Sequence, residues 1–170
     1  MGTNLREVHK LLNRMWEGIF RLREELKEEL TGFTVEDVEE VFNAYIYIDG
    51  EWREMKYPHP AFALKPYGEV GATIQGFYFV FAFEREAISK EFVRDFVRSF
   101  RRAFIYGAEN FLEDFYNHER PKDPEEVFED MMRTNEEVFN FEVDVSLDER
   151  ELKEELKKFI ELAKRHDLLG

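Results

Sequence analysis

The chain has 170 residues, no cysteine, and 38 acidic against 24 basic side chains, which gives a formal net charge of −14. This length fits one globular domain over residues 1–170. The absence of cysteine excludes disulfides, thiolate metal sites, iron–sulfur clusters and cysteine nucleophiles. The 44% of apolar residues, with 18 phenylalanines among them, exclude a disordered chain. The acidic excess argues against nucleic acid as a partner, because a phosphate backbone would be repelled.

The sequence predicts neither a secretory signal nor a membrane partner. Its N-terminus lacks a basic patch followed by an apolar run. The longest uncharged run, from Val70 to Phe83, is shorter than the roughly 18 residues that cross a bilayer. We therefore expect a cytoplasmic protein.

The first part of the chain is predicted to form two helices. Apolar residues recur at intervals of three and four from Leu5 to Leu26, which predicts a long amphipathic helix. A second, short helix is predicted over 35–42, because Thr34 is a good N-cap residue with an acidic residue three positions later.

Strand signals follow. Asp49-Gly50, between two segments rich in aromatic and β-branched residues, indicates a two-residue hairpin turn that pairs Tyr47 with Trp52 on one face. A long strand is predicted from Val70 to Phe83. A later strand from Val138 to Val145 alternates apolar and polar residues, so we expect it to be half-exposed.

The second half of the chain is predicted to be mainly helical. One helix is expected from Lys90 to about His118, after the capping residue Ser89, and two more after the capping residues Asp123 and Asp148. The predicted order is α-α-β-β-β-α-α-β-α. The fold class is α+β, with two layers and an about four-stranded, mainly antiparallel sheet packed by long helices. One face of the helix from Lys90 carries Phe92, Phe96, Phe100, Phe104, Phe111 and Phe115.

A basic stripe follows the flank of this predicted helix at helical spacing. It would bind an anion or an acidic partner segment, or it would form surface ion pairs with neighbouring carboxylates. The stripe consists of Arg94, Arg98, Arg101 and Arg102.

Asp114 and His118 are spaced i,i+4 on the apolar side of the same predicted helix. They would offer a carboxylate and an imidazole for proton transfer, or they would simply reach solvent where the helix frays. Two ligands are too few for a metal site, and His9, His59 and His166 lack recognisable partner spacing. The common nucleotide-binding, zinc-protease and hydrolase motifs are also absent, so we expect no metal and no cofactor.

The segment from Tyr57 to Gly68 mixes prolines with aromatic residues. Because proline cannot donate a ladder hydrogen bond, Ala61 to Leu64 is predicted to be an edge strand at most. Phe62 and Tyr67 would then either pack down on the sheet or contact a partner from a stiff recognition loop.

Together these features resemble the uncharacterised small acidic proteins of hyperthermophilic archaea of the Thermococcus–Pyrococcus kind. The resemblance lies in helices rich in glutamate, lysine and arginine, the absence of cysteine and a phenylalanine-rich core. It implies no known activity. A weaker resemblance is to type III secretion chaperone-like proteins, and it implies a dimeric α+β protein with a helix, three strands, a helix, further strands and a last helix. The predicted helices near 35–42 and 124–133, and a single late strand, depart from that pattern.

The leading functional hypothesis is a non-enzymatic, homodimeric protein-interaction or chaperone-like protein. It rests on the missing catalytic motifs, the apolar stripe of the first helix, the half-exposed late strand and the aromatic loop. One alternative is a binder of a small apolar or anionic molecule in a phenylalanine-lined pocket between helix and sheet. Another is an enzyme that uses Asp114 and His118.

Overall fold

The computed structural model describes residues 5–73, 75–109 and 114–169. These residues form an α+β fold of four α-helices and seven strands. In chain order they are α1 (Leu5–Glu25), β1 (Thr34–Ile48), β2 (Glu51–Lys65), β3 (Gly68–Thr73), β4 (Gly76–Glu84), α2 (Lys90–Ser99), β5 (Ala103–Gly107), β6 (Asp114–Asn117), α3 (Pro124–Arg133), β7 (Val138–Val145) and α4 (Glu149–Arg165).

All seven strands belong to one antiparallel sheet in the order β1-β2-β3-β4-β7-β5-β6. The predicted four-stranded sheet, and the predicted order α-α-β-β-β-α-α-β-α, are therefore wrong. The α+β class and the antiparallel pairing are the parts of that prediction that agree with the structure.

The helix predicted over 35–42 lies within strand β1 instead. The cap-like pattern at Thr34 is overridden by β-branched and aromatic residues over 34–48 and by continuous pairing with β2. This pairing runs without interruption from Thr34 opposite Lys65 to Ile48 opposite Glu51. A local helix signal of one turn cannot compete with so long a ladder.

The predicted helix from Lys90 to His118 is also too long, because α2 ends at Ser99. Its start is as predicted: the Ser89 hydroxyl accepts a hydrogen bond from the backbone N–H of Phe92 at 3.0 Å. Phe100 already has extended backbone angles, with φ −119° and ψ 131°.

Two strands occupy the rest of that predicted helix. The phenylalanine spacing of four continues through Phe104, but burial over 103–107 alternates with the period of two that a strand requires. Pairing of β5 with both β6 and β7 stabilises this conformation. Phe111 lies outside the described residues.

Two strand predictions need correction as well. The single strand predicted from Val70 to Phe83 is two antiparallel strands, β3 and β4, and Gly76 at the start of β4 has the positive φ of 143°. Ala61–Leu64 pairs with β1 on one side and β3 on the other, so it is not an edge strand. Strand β7 lies between β4 and β5 near the centre of the sheet.

Other strand predictions are confirmed. Asp49 and Gly50 have positive φ values of 51° and 81°, as a two-residue hairpin turn demands. Tyr47 pairs with Trp52, and their ring centroids lie 5.3 Å apart. Burial also alternates along β7 as its sequence predicts.

The core fills the space between the helices and one face of the sheet. Phe159 of α4 lies at its centre, with its ring centroid 4.6 Å from that of Phe81 and 5.5 Å from that of Phe79. All three side chains are fully buried. One alternative drawn from the sequence was a phenylalanine-lined ligand pocket between helix and sheet, and these rings fill that space. Within the described residues, no helix combines the length and apolarity that a bilayer crossing would need.

Candidate functional site

The main cavity lies on the face of the sheet that points away from the core. It is an open cavity of about 650 Å³, lined by β4, β7, the β3–β4 turn and the segments that follow α2 and β6. Polar side chains reach it because strands alternate: β7 directs Phe141 and Val143 into the core, and Glu142 and Asp144 to the cavity face.

One side of the cavity is built by a chain of hydrogen bonds around Tyr78. The Tyr78 hydroxyl donates to Glu69 Oε2 at 2.8 Å and lies 3.0 Å from His59 Nε2. Since the hydroxyl has one proton, His59 Nε2 is the donor in the second bond. Tyr78 adopts this position because Gly71 pairs with it across the strands, and a Cβ at Gly71 would lie 2.6 Å from Tyr78 Cζ.

A pair of carboxyl groups lies beside this chain of hydrogen bonds, because Asp144 pairs with Tyr78 across the strands and Glu142 pairs with Val80. Glu142 accepts a hydrogen bond from the Tyr106 hydroxyl at 2.9 Å and is hydrogen-bonded to Asp144. Burial, and then the negative charge of Asp144, raise the pKa of Glu142 to about 8. Burial raises the pKa of Asp144 too, although the bond from Glu142 opposes this rise. At neutral pH, Glu142 therefore keeps its proton beside Asp144.

Two basic side chains face this carboxyl pair. The charges of His118 and Arg102 act to lower the pKa of Asp144, and both residues line the cavity. His118 follows β6, where its ring packs edge-on against Phe104 with centroids 5.1 Å apart. The arrangement therefore combines two hydrogen-bonded carboxyl groups, an imidazole and a guanidinium around an open cavity, which suits binding of a small polar molecule. Within the described part of the chain, no three histidine or acidic side chains are grouped to hold a metal ion.

The structure does not place Asp114 and His118 on one helix face. Asp114 is exposed at the start of β6, and His118 is half-buried just after that strand. Four residues of extended chain separate their backbones by about 13 Å, against about 6 Å for the helical spacing assumed from the sequence. Asp144 is the carboxylate that His118 faces. The sequence indicated only that Asp144 lies on the polar face of β7, through the alternation of that strand.

The predicted arginine stripe is divided because α2 ends early. Arg94 and Arg98 lie on α2, where Arg94 Nε is 3.4 Å from Asp95 Oδ1. Arg101 and Arg102 lie in the turn before β5 and line a second, smaller cavity of about 190 Å³. Only Arg102 also reaches the main cavity, so the four side chains form no continuous anion site.

Phe62 and Tyr67 pack inward, as one of their two predicted roles requires. Phe62 is fully buried in β2. Tyr67 is half-buried in the turn after β2, with ring centroids 6.2 Å from Phe33 and 6.0 Å from Phe83.

A second notable region is the far half of the β1–β2 hairpin, residues 41–58, which we call the arm. Pairing of β2 with β3 begins at Ala61, so among the described residues the arm strands pair only with each other. Pro58 and Pro60, directly before this point, have no N–H for a ladder bond. At the tip of the arm, Tyr47 and Trp52 are 63% and 71% exposed.

Another exposed aromatic pair lies on α1. Trp16 and Phe20 are 37% and 50% exposed, and their ring centroids lie 6.1 Å apart. Arg23, on the same stripe of the helix, is paired with Asp37 of β1. The stripe of Trp16 and Phe20 therefore faces the edge of the sheet from which the arm extends. Among the side chains that the structure describes, which do not include most of the arm, these four rings are the large apolar groups left exposed.

Comparison with known proteins assigns a family and no activity. The family described as "Protein of unknown function (DUF3201)" matches residues 10–158. The chain is similar to the solved structure of a conserved hypothetical protein from Pyrococcus furiosus, at 65% identity and a TM-score of 0.85, over 98% of this chain and 100% of that one. None of the curated proteins compared with the chain matches it. The predicted resemblance to uncharacterised proteins of hyperthermophilic archaea is thus confirmed. The chain belongs to the DUF3201 family of proteins of unknown function.

Proposed function

We propose that this protein is a homodimeric interaction protein and that the arm is its docking element. The observation that carries the proposal is the arm itself: a two-stranded ribbon with an exposed aromatic pair at its tip. An isolated two-stranded hairpin is at best marginally stable in water. Aromatic side chains are also the residues that most often dominate binding energy at protein interfaces.

The composition of the chain supports this proposal. With a net charge of −14, random self-association is disfavoured, so exposed rings at defined positions point to a specific contact. The proposal includes a cytoplasmic location. A chaperone-like role, which the weaker resemblance implies, stays a prediction.

Sedimentation velocity over a concentration series tests the proposal. We expect a species of twice the 20.5 kDa chain mass at micromolar concentration, which dissociates on dilution. A single species of 20.5 kDa throughout the series would overturn the proposal.

A second candidate function is the binding of a small polar molecule in the main cavity. The observation in its favour is the hydrogen-bonded pair of Glu142 and Asp144, which lines the cavity together with His118 and Arg102. Buried, mutually perturbed titratable groups in a cavity are typical of binding and catalytic sites. A ligand would match this site if it had a hydrogen-bond donor for the carboxyl pair and an anionic group for Arg102 and His118.

Native mass spectrometry of the protein purified from its host tests this second function. We expect a co-purified small molecule, and we expect Asp144→Asn to reduce its occupancy. Glu154→Gln, at an exposed position on α4, is the matched control. Equal occupancy in the Asp144→Asn variant would exclude the cavity as the binding site.

A further inference from the structure

We propose that the arm tip of each copy, with Tyr47 and Trp52, binds the Trp16–Phe20 pair on α1 of the other copy. This inference rests on the proposed homodimer and specifies its contact. Both aromatic pairs belong to every chain, so one two-fold axis would generate two equivalent contacts. All four exposed rings would be covered by this single arrangement.

The tip is too far from Trp16 of its own chain to bind it. Gly18, two residues from Trp16, lies directly over Phe77, because a Cβ there would be 2.6 Å from Phe77 Cζ. Phe77 pairs with Ala72, which is next to Gly71, the partner of Ala61. Trp52 is nine residues from Ala61 along β2, a distance of about 30 Å in extended chain. The tip and Trp16 of one chain are therefore separated by roughly 25 Å, and a second copy must supply the contact.

The two surfaces also carry opposite charge. Residues 13–23 of α1, which surround Trp16 and Phe20, contain three basic residues and one acidic residue. The tip, residues 47–54, contains three acidic residues and one basic residue. Tip-to-tip or helix-to-helix contact would bring like charges together, whereas tip-to-helix contact pairs opposite charges. Of the three possible contacts in a two-fold dimer, charge therefore favours the one in which each tip binds α1 of the other copy.

A complementation experiment tests this contact. We expect Trp16→Ala and Trp52→Ala each to raise the dimer dissociation constant at least about tenfold in sedimentation equilibrium. Glu126→Ala, at an exposed position on α3 outside both surfaces, is the matched control and should leave the constant unchanged. Circular dichroism checks that each variant keeps its fold.

Mixing the two tryptophan variants gives the decisive result. In the mixed dimer, the intact tip of the Trp16→Ala chain meets the intact α1 of the Trp52→Ala chain, which restores one contact of the two. We therefore expect the mixture to form heterodimers more tightly than either variant forms homodimers. Homodimers and heterodimers of equal affinity would overturn the inference.

Tryptophan fluorescence provides an independent readout, because Trp16 and Trp52 are the two tryptophans of the chain. Trp52→Phe leaves Trp16 as the sole reporter, and Trp16→Phe leaves Trp52. Emission from each should shift to shorter wavelength as the dimer forms and the ring leaves water. Dimerisation with a shift of Trp52 but none of Trp16 would reject this contact and leave the proposed function standing. A strictly monomeric wild-type chain would reject both.

Discussion

The body of the molecule and the arm are built from similar residues but differ in how those residues are covered. In the body, Phe81 and Phe159 lie between sheet and helix and are fully buried. In the arm, Tyr47 and Trp52 contact each other at 5.3 Å and remain mostly exposed. Apart from Trp16 and Phe20, the body thus buries its large apolar side chains within one chain, among the side chains that the structure describes, whereas the arm tip leaves its aromatic pair exposed. We infer that folding depends on the body and that association depends on the arm.

Removal of the arm should have the largest effect. Replacing residues 42–57 with Asn-Gly would join Val41 to Pro58, which are paired in the hairpin, through a favoured two-residue turn. We expect complete loss of the dimer in sedimentation velocity and a melting temperature close to that of wild-type monomer. A shortened chain that still dimerises would contradict the division between arm and body.

Truncation of a core ring should have the next largest effect, on folding instead of association. Phe159→Ala removes a fully buried side chain, so we expect a loss of about 3–5 kcal/mol in the free energy of unfolding. Phe20→Ala, which removes a half-exposed ring of α1, should cost less than about 1 kcal/mol under monomeric conditions. Chemical denaturation of both variants at low protein concentration measures the difference, and equal losses would refute it.

A smaller effect is expected at the cavity face. Gly71→Ala places a methyl group against the Tyr78 ring, which must move away from Glu69 and His59. We expect a cost of about 1–3 kcal/mol in thermal unfolding. Gly32→Ala is the control, because a Cβ at Gly32 would meet no atom within 4 Å and should have little effect. Similar melting temperatures for both variants would show that Tyr78 is not held by Gly71.

The smallest effect is a pH dependence centred on Glu142. Its pKa rises from 4.5 to about 8 on folding, so the folded state binds the proton more tightly than the unfolded chain does. The contribution of Glu142 is thus fully present below pH 4.5 and is lost as the pH rises towards 8. Glu142→Gln should flatten this decline and stabilise the protein at pH 9 by at least about 1 kcal/mol relative to wild type. Parallel stability curves for the two proteins between pH 5 and 9 would disprove the shift.

Local signals in the sequence predicted those parts of the fold that are decided locally. The periodicity of α1, the Asp49-Gly50 turn, the Ser89 cap and the alternation of β7 are all found in the structure. The errors came where pairing between distant segments decided the outcome. Thr34 has the sequence of a helix cap, but the segment after it forms a strand because the fifteen residues of β2 pair with β1. Strand pairing of β5 likewise replaces the predicted helix beyond Ser99, where α2 ends.

The candidate sites were harder to predict for the same reason. Asp144 and His118 are brought together only because β7 and β5 pair near the centre of the sheet and β6 follows β5. The sequence instead linked Asp114 to His118 through a helix that does not form. The exposure of the arm tip could not be predicted either. The two-residue turn pairs Tyr47 with Trp52, but it does not indicate whether another element covers them.

Amide hydrogen exchange at two protein concentrations tests the central claim most directly. If a second copy covers the arm, its amides should exchange more slowly above the dimer dissociation constant than below it. Amides of β4 and β7, which the body protects by itself, should exchange equally at both concentrations. Arm exchange that does not depend on protein concentration would contradict the account.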